Sequence, residues 1–332
     1  MDTKELSIKI DSEMNKNSLF EIKSANIWIE EAKKRPRPKM LFGELWFENE
    51  LCILFSDTNV GKSILAVQIG NSISKGRSTC GLNLEIEASK IIYFDFELSD
   101  KQFENRYSTN FKEHYNFDSN FLRAEINPEK FNPEKFKSEE DFLSDAIEKC
   151  VLEHKTKILI VDNITYLKNE TEKAKDALPL MKMLNELKKK YNLSILVLAH
   201  TPKRDDSKPI RNTDISGSKM LINFCDSSFA IGKSCQDSSF RYIKQIKQRN
   251  VEEVYGGDNI ILNEIKKVNS FLQFCFNSFS TEGEHLKAVN EYRDERDESI
   301  LELKKQNLTN CDIARQIGIS EGTVRNVLKK TM

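Results

Sequence analysis

An apolar run, residues 53–55, is followed by a polar stretch that ends in Gly61-Lys62-Ser63 and opens an amphipathic segment. A strand that turns into a helix in this way points backbone N–H groups and the positive end of the helix at one concave spot, which suits phosphate oxygens. In such a loop Lys62 reaches the β- and γ-phosphates, and the Ser63 hydroxyl binds Mg²⁺. We therefore predict an ATP-binding phosphate loop, whose residues are Asp57, Thr58, Asn59, Val60, Gly61, Lys62, Ser63 and Ile64.

The predicted loop departs from the pattern G-x-x-x-x-G-K-[ST] at its first position, where Ser56 replaces glycine. Glycine adopts a positive φ without steric cost, so the first turn of the loop is expected to have a different shape. A chance Gly-Lys-Ser in an ordinary strand–turn–helix is the alternative. The strand before the loop and the helix after it favour nucleotide binding.

Carboxylates follow two other apolar runs. Run 158–161 ends in Asp162, the form of a segment that holds Mg²⁺ directly or through water. The next residue is Asn163, so the general base must come from elsewhere. Glu97 follows a second run and is placed to orient water for attack on the γ-phosphate. Asp95 is the alternative base, but strand alternation puts it one step deeper on the same face.

A third apolar run, residues 194–199, ends in His200. A lone histidine is more often structural than catalytic, but here it would lie beside the γ-phosphate and could sense the state of the nucleotide. Ligands of open α/β sheets bind outside the carboxyl ends of the strands. We therefore expect Glu97, Asp162 and His200 to meet Lys62 at one edge of a sheet.

These side chains must be positioned by alternating strands and helices, which is the pattern of an α/β fold with a mainly parallel sheet flanked by helices. The predicted strands are 51–55, 90–96, 157–161, 194–199, 228–231 and 240–246, with a terminal hairpin from 260–264 and 270–276. The predicted helices are 62–75, 100–114, 139–154 and 174–191.

The pattern also predicts domain limits: an N-terminal segment at 1–40, an ATPase domain at 41–280, a charged helical or flexible linker at 281–297 and a small helical domain at 298–332. The N-terminal segment contains a helix near 24–34, broken by the prolines that follow. Its Ile27, Trp28 and Ile29 could dock on the core. A disordered tail is the alternative.

Composition is that of a globular protein, with 51 basic and 52 acidic residues, so any affinity for nucleic acid must come from local patches. No apolar run approaches the roughly 20 residues of a membrane span, and the N-terminus has no signal-peptide core. The seven cysteines form no C-x-x-C pair. This argues against a zinc site and for a reducing compartment, so we expect a cytoplasmic protein.

The order of phosphate loop, Glu97, Asp162 and His200 resembles the RecA-like ATPase superfamily, and within it the ring-forming replicative helicases of the DnaB type and the plasmid RepA type. Glu97-Leu98-Ser99 with Gln102 and Arg106 is similar to the E-M-S-x-x-Q-x-x-x-R stretch of DnaB-type proteins, and Gly43-Glu44-Leu45-Trp46 is similar to the RepA group. The resemblance covers roughly residues 25 to 276 and implies a RecA-like fold.

Lys247-Gln248-Arg249 resembles the K-x-R element that, in these families, enters the active site of the neighbouring subunit. A basic group there stabilises charge on the transferring phosphoryl group. The resemblance therefore implies a homo-oligomer, a hexameric ring or a filament, with catalytic Lys247 and Arg249 supplied by a partner. A solvated basic strand end is the alternative.

A polar loop after His200 resembles the loop that carries single-stranded DNA in RecA-like proteins. Its candidate DNA contacts are Lys203, Arg204, Lys208 and Arg211, before the stretch 216–219. Residues after Asp162, including Lys168, Lys173 and Lys175, form a second candidate loop, although a solvated lysine surface is equally consistent. Neither loop has the aromatic stacking platform seen in many proteins that bind single strands, so the signal is electrostatic only.

The last residues resemble a helix-turn-helix, whose second helix enters the major groove of duplex DNA. Thr309 can cap a helix at 310–317, and Ser320 can cap a second at 321–330. A small docking module with the same fold is the alternative. The outward candidates on the second helix are Thr323, Arg325, Asn326, Lys329 and Lys330, and Arg315 could meet phosphate.

The sequence thus predicts a DNA-dependent, oligomeric ATPase that uses ATP and Mg²⁺, similar to a replicative helicase or loader of a plasmid or another mobile element. The alternative is a regulatory DNA-binding ATPase in which ATP controls assembly and nothing is unwound. The first is a motor and the second a switch.

Overall fold

The computed structural model of the chain describes residues 20–130, 136, 138–163, 177–202, 204–215 and 219–331. Predictions at Lys203, at the lysines between 168 and 175 and at 216–218 lie outside these residues. The chain has two compact units, Met1–Pro38 and Lys39–Met332.

The N-terminal unit contains helix α1 (Ala25–Lys33), which begins after its cap Ser24. The Ser24 hydroxyl accepts a hydrogen bond from the backbone N–H of Ile27, at 3.4 Å. Ile27, Trp28 and Ile29 are 49%, 40% and 54% exposed. The predicted helix is therefore present, and its apolar side chains are open to solvent.

Eleven strands lie in the described part of the second unit, and nine of them form one sheet. In chain order they are β1 (Leu51–Ser56), β2 (Ile91–Asp95), β3 (Ser108–Thr109), β4 (Glu113–His114), β5 (Phe121–Ala124), β6 (Ile158–Asp162), β7 (Ser194–His200), β8 (Ser227–Lys233), β9 (Phe240–Lys247), β10 (Ile260–Val268) and β11 (Phe271–Ser280). The sheet order is β11-β10-β9-β8-β1-β7-β6-β2-β5, and β3 pairs with β4 in a separate hairpin. The six neighbouring strands β8-β1-β7-β6-β2-β5 are parallel to one another. Strand β9 is antiparallel to β8, and β10 is antiparallel to both β9 and β11.

Helices cover both faces of the sheet. They are α2 (Lys62–Lys75), α3 (Asp100–Arg106), α4 (Glu139–His154), α5 (Ala177–Tyr191) and α6 (Lys219–Phe224), followed by α7 (Val289–Lys305), α8 (Asn310–Ile317) and α9 (Glu321–Thr331). Side chains of β1 alternate between two cores: Ile53 packs with α4 and α5, and Leu54 packs with α2. Because both faces are buried, the central strands are continuous apolar runs. The predicted α/β class, a RecA-like mainly parallel sheet flanked by helices, is confirmed.

The structure replaces the end of one predicted helix with the β3–β4 hairpin and adds strand β5. The helix predicted to reach His114 ends at Arg106, because Asn110 and Phe111 take positive φ angles of 53° and 56° in the turn of the β3–β4 hairpin. Tyr115 beyond this turn packs on Phe271, with ring centroids 4.4 Å apart. Strand β5, which the sequence pattern did not indicate, pairs with β2 at the end of the sheet. Tertiary packing therefore overrides the local helical pattern here.

Residues after β11 are held against the sheet. The Glu282 carboxylate is 2% exposed and accepts hydrogen bonds from the backbone N–H of Ile210, at 2.8 Å, and from Lys244 Nζ, at 2.5 Å. His285 is equally buried, and its Nδ1 lies 2.8 Å from Ser234 Oγ. The region predicted as a charged linker thus begins with an anchored turn and continues as the first half of α7.

Helices α7, α8 and α9 share a small core of their own, which includes Ile300, Ile313, Ile317 and Val324. We call residues 289–331 the C-terminal module. Thr309 caps α8 by accepting from the backbone N–H of Asp312, as predicted, and Gly318 ends it with a φ of 76°. Among the described residues, no helix has both the length and the apolar character that crossing a membrane requires.

Candidate active site

The loop between β1 and α2 has the geometry of a phosphate-binding turn. Its left-handed residues are Asn59 (φ 61°) and Gly61 (φ 109°). A Cβ on Gly61 would lie 3.0 Å from side-chain atoms of Ile265 and Phe274, so both conformation and space favour glycine. Ser56 is the last residue of β1 and has no positive φ, so glycine is not required at the position where the pattern departs.

Lys62 is 6% exposed, and its ammonium group is turned toward its own loop. Nζ donates to the carbonyl oxygens of Ser56, at 2.9 Å, and Asp57, at 3.0 Å, and lies 3.0 Å from His200 Nδ1. Burial lowers the pKa of Lys62 to about 8, although the charges of Asp162 and Glu97 oppose this shift. Lys62 therefore combines high burial with proximity to three acceptors that a phosphate group could replace.

Asp162, at the end of β6, is 1% exposed. Its Oδ2 accepts a hydrogen bond from the Tyr93 hydroxyl at 2.5 Å, but its Oδ1 is buried and has no hydrogen-bond partner among the described residues. Burial raises the pKa of Asp162 to about 6, and the nearby Ser63 hydroxyl partly offsets the shift. An orphaned carboxylate oxygen costs free energy unless a cation or donor satisfies it.

This donor set fits Mg²⁺, which binds one or two protein oxygens and takes phosphate oxygens and waters as its other ligands. Asp162 and Ser63 would be the protein ligands. Within the described residues, no group of three or more His, Cys, Asp or Glu side chains is arranged to hold a metal ion. A cation at this position would therefore need ligands from a bound nucleotide or from water.

Glu97 lies just after β2, in a turn held by Asp95. Asp95 Oδ1 accepts from the backbone N–H groups of Glu97, at 3.2 Å, and Leu98, at 3.0 Å, and its Oδ2 accepts from Arg123 Nε at 2.9 Å. The Asp95 side chain is fully buried in this ion pair, whereas that of Glu97 is 35% exposed. Asp95 thus positions the turn, and Glu97 is the carboxylate that water can reach.

Glu97, Asn163 and His200 are linked to one another. His200 Nε2 lies 3.2 Å from Glu97 Oε1 and 2.9 Å from Asn163 Nδ2, and Asn163 donates to Glu97. In one tautomer the imidazole of His200 can hydrogen-bond to both charged neighbours: Nδ1 accepts from Lys62, and Nε2–H donates to Glu97. The hydrogen bond from His200 lowers the pKa of Glu97. Glu97 is therefore ionised at neutral pH, as a base must be.

A cleft of about 450 Å³ is bordered by Lys62, Glu97 and His200. Three further residues lie at the site although the sequence pattern assigns them no role: Arg106, Asn163 and Tyr93. Arg106 lines the cleft, and one of its guanidinium nitrogens, Nη1, is buried and has no hydrogen-bond partner within the described part of the chain. The residues around the cleft are Thr58, Asn59, Gly61, Lys62, Ser63, Ile64, Glu97, Arg106 and His200.

Two residues of the predicted loop face elsewhere. Asp57 accepts a hydrogen bond from the Thr201 hydroxyl and lines a neighbouring cavity. Val60 is 2% exposed and contributes its carbonyl oxygen to Arg241, at 3.1 Å. These side chains support the shape of the loop, which leaves the backbone N–H groups as the groups that could contact phosphate.

Lys247 and Arg249 lie at the opposite edge of the sheet. Lys247 pairs with Ser228, near the start of β8, and Ser228 is beside Ile53 in the register of β1. Lys247 Nζ donates to the carbonyl oxygens of Ile222 and Cys225, at 2.5 and 2.6 Å, so it is engaged within its own chain. The Arg249 side chain is 54% exposed. The structure therefore brings neither residue to the cleft of its own chain.

The candidate DNA contacts of the loop after β7 differ in exposure. The Arg204 side chain is 10% exposed, and Nη2 donates to the carbonyl oxygen of Lys208 at 2.8 Å. Lys208 has a side chain that is 72% exposed, and Arg211 is also exposed. In this conformation Lys208 and Arg211, but not Arg204, face solvent.

On the C-terminal module, the candidates lie mostly on the surface. Arg315 and Arg325 have side chains that are 79% and 60% exposed, and Asn326 and Lys329 are exposed as well. Thr323 is half-buried, and its hydroxyl lies 2.9 Å from that of Ser320 in the turn before α9. Four of these five candidates are therefore accessible to a ligand, and the side chain of Lys330, the sixth candidate, lies outside the described part of the chain.

Comparison with known proteins adds two findings. A family model described as "AAA domain" matches residues 17–206, more than half of the chain. A solved structure of a KaiC-like protein from the hyperthermophilic archaeon Pyrococcus horikoshii is similar at 12% identity, with a TM-score of 0.46, over 69% of this chain and 90% of that one. No curated protein matches the chain.

Proposed function

The chain belongs to the AAA domain family of P-loop ATPases, and we propose that it is an oligomeric, DNA-binding ATPase that acts as a replicative helicase or loader of a plasmid or another mobile element. The observation that carries the proposal is the linkage of Lys62, His200 and Glu97 beside the orphaned oxygen of Asp162. Burying a lysine ammonium group and a carboxylate costs free energy. An ordinary strand–turn–helix that binds no ligand would gain nothing to offset that cost.

The proposed reaction is hydrolysis of the terminal phosphate of ATP. Lys62 exchanges its contacts with the carbonyl oxygens of Ser56 and Asp57 for phosphate oxygens, which are better acceptors because they are charged. Glu97 accepts a proton from the attacking water, and His200 holds the carboxylate of Glu97 in place. When bound to Asp162 and Ser63, Mg²⁺ supplies positive charge to the phosphate oxygens.

The proposal includes catalysis across a subunit boundary. The cleft of one chain contains Lys62 and Arg106 as its cationic side chains, and Arg249 lies at the other edge of the sheet. Arg249 of a second copy would complete the site, and Lys247 would fix the backbone from which Arg249 projects. A closed ring and an open filament both place one edge of each chain against the opposite edge of the next.

We propose that DNA is contacted in two ways. Lys208 and Arg211 would bind the phosphates of single-stranded DNA from the loop after β7, with Arg204 holding the loop from within. The C-terminal module would act as a helix-turn-helix. In that case Arg325, Asn326 and Lys329 of α9 would face the major groove of a duplex, with Thr323 at its rim, and Arg315 of α8 would contact the backbone.

A regulatory switch is the second candidate, because the C-terminal module could bind a duplex site without any unwinding. A strand-displacement assay on forked duplexes with 5′ or 3′ single-stranded arms distinguishes the two. The proposed motor should release the displaced strand in the presence of ATP and not with a non-hydrolysable analogue. Hydrolysis without displacement on any fork would support the switch, and no hydrolysis with or without DNA would contradict both.

The matched control is Lys62→Met, which removes the ammonium group and keeps an unbranched chain of similar length. It should abolish hydrolysis and displacement while the module still binds duplex DNA. Binding is measured by fluorescence anisotropy at two salt concentrations, since contacts to phosphate weaken as salt rises.

A further inference from the structure

A cavity of about 350 Å³ lies where the C-terminal module meets the phosphate loop. Asp57, Thr58 and Lys233 line it from the ATPase core, and Glu295, Arg296 and Ile317 line it from the module. Thr58 also borders the nucleotide cleft. The module therefore lies across this cavity from a loop that also borders the nucleotide cleft.

The segment that connects β11 to the module is also hydrogen-bonded to the ATPase core. This connection is anchored by buried Glu282 and His285. The backbone N–H of Lys287, just before α7, donates to the carbonyl oxygen of Asp206 at 3.1 Å. Asp206 lines the cavity too, in the loop that follows Thr201. The connection thus keeps the start of α7 near the phosphate loop and is not a flexible linker.

We propose that the surface formed by Asp57, Thr58 and Lys233 is a docking site for the chain's own C-terminal module, and that ATP loosens it. The inference rests on the proposed function, since it requires ATP to bind in the cleft. Beyond hydrolysis, nucleotide binding in the ATP site then controls the position of the module.

Contacts of the loop explain why a nucleotide would disturb the docking surface. Lys62 is hydrogen-bonded to the carbonyl oxygens of Ser56 and Asp57, and Thr201 is hydrogen-bonded to both of these residues as well. Lys62 must leave these carbonyls to reach a phosphate. The peptide groups on the cavity side of the loop then lose a charged partner, and Asp57 and Thr58 are free to shift.

Charge gives the direction of the effect. Residues 289–302 of α7 contain six acidic and two basic residues, a net charge of −4. The Arg296 guanidinium is already paired with Asp297, at 2.8 Å, and Glu295 is paired with Lys287. A triphosphate in the cleft adds negative charge on the other side of Thr58. Like charges near a low-dielectric wall repel, so ATP should weaken docking, and ADP should do so less.

The surface proposed to bind duplex DNA is separate from the docking face. Arg325 on α9 is exposed while Ile317 and α7 face the cavity. Duplex binding therefore does not compete directly with docking. ATP and duplex DNA are coupled only through the position of the module, and such coupling is reciprocal.

The test is cross-linking in the full chain. Exposed Cys235 and Cys311 are replaced by serine, and Lys233→Cys and Ser299→Cys place one thiol on each side of the cavity. A short bismaleimide should join them in the absence of nucleotide and with ADP. A slowly hydrolysed ATP analogue should lower the yield by at least about fivefold, the lower end of usual coupling strengths. No cross-link without nucleotide, or a yield that ATP leaves unchanged or increases, would overturn the proposal.

Two controls accompany the test. Lys233→Cys with Gln306→Cys, at the far end of α7, should give no cross-link in any nucleotide state. Binding of a fluorescent form of the analogue is measured on the same double-cysteine protein. Binding with an unchanged cross-link overturns the docking proposal alone, whereas absence of binding overturns the proposed ATPase function together with it.

Discussion

The two edges of the parallel sheet carry different kinds of charged group. At the carboxyl edge, Lys62 and Asp162 are 6% and 1% exposed, and Lys62 Nζ lies 3.0 Å from His200 Nδ1. At the amino edge, the Arg249 side chain is 54% exposed, and its hydrogen bonds to other described residues are to Asp226 and to the carbonyl oxygen of Asn223, each at 3.2 Å. The first edge is arranged before any ligand arrives. The amino edge has a cation, Arg249, whose contacts can be broken at a small cost in free energy.

This difference is what a site divided between two molecules requires. A strand of six residues such as β1 spans about 20 Å, so Arg249 cannot reach the cleft of its own chain. A cation that must enter a partner's cleft has to be exposed in the single chain, and the catalytic side chains of the receiving cleft have to be held in position by their own chain. Variants at each edge test whether the two edges have these separate roles.

The largest effect is expected from Arg249→Ala, which should lower turnover by about 10³ to 10⁵, the range found for arginine fingers. Nucleotide affinity should stay within about twofold, because the proposed role of Arg249 is to stabilise charge that develops on the phosphoryl group only during its transfer. Steady-state ATPase assays and binding of a fluorescent analogue measure the two quantities. Unchanged turnover would remove the role of Arg249 in a partner's site.

Mixing variants makes this test specific to catalysis across the boundary. Lys62→Met chains keep an intact amino edge, and Arg249→Ala chains keep an intact cleft. Their mixture should regain turnover that neither variant has alone. A mixture of Arg249→Ala with the double variant Lys62→Met, Arg249→Ala is the matched control and should remain inactive. Failure to regain activity in assembled mixed oligomers would show that the two edges do not meet.

The next effect concerns the carboxyl edge. Glu97→Gln removes the base and keeps a polar side chain of the same size beside Asn163 and His200, so turnover should fall by about 10² to 10⁴. Binding of ATP should persist. Single-turnover kinetics with pre-bound ATP measure the chemical step. A variant that hydrolyses at the normal rate would assign the base to another group.

The carboxyl edge was largely predictable from sequence. Apolar runs mark buried parallel strands, and the carboxyl ends of such strands meet at one edge. Glu97, Asp162 and His200 each follow such a run, and the structure does place all three around Lys62. The local signals were sufficient here because strand ends determine the position of the side chains that follow them.

Other features depend on partners distant in sequence. Arg123 pairs with Asp95 only because the short strand β5 lies beside β2, and four residues carry too little periodicity to reveal a strand. Glu282 and His285 lie in a stretch whose charge suggested a solvated linker, but both are buried against the sheet. A charged residue is buried when a specific partner compensates it, and sequence alone did not identify Lys244 or Ser234 as those partners.

A smaller effect is expected from pH. Protonated Lys62 binds phosphate, and its pKa in the free protein is about 8. Nucleotide affinity should therefore fall by about tenfold for each pH unit well above 8, where an ordinary lysine would still be charged. Asp162 must be ionised to bind Mg²⁺, so affinity that depends on Mg²⁺ should also fall as the pH drops through its pKa of about 6. Measurements of nucleotide affinity against pH, with and without Mg²⁺, separate the loss of affinity at high pH from the loss at low pH. The Lys62→Met variant should lack the loss at high pH.

The smallest effect is expected on stability at the amino edge. Arg249→Ala should change the free energy of unfolding by less than about 1 kcal/mol, because its pair with Asp226 is open to solvent. Asp226→Ala should cost about 2 to 4 kcal/mol. It removes the acceptor of the Leu51 backbone N–H, at 2.9 Å, and of Lys188 Nζ, at 2.6 Å, and Lys188 is only 12% exposed. Urea unfolding followed by circular dichroism compares the two variants. If Arg249→Ala unfolded as readily as Asp226→Ala, its loss of turnover would reflect structural damage, and the two edges would differ less than their contacts indicate.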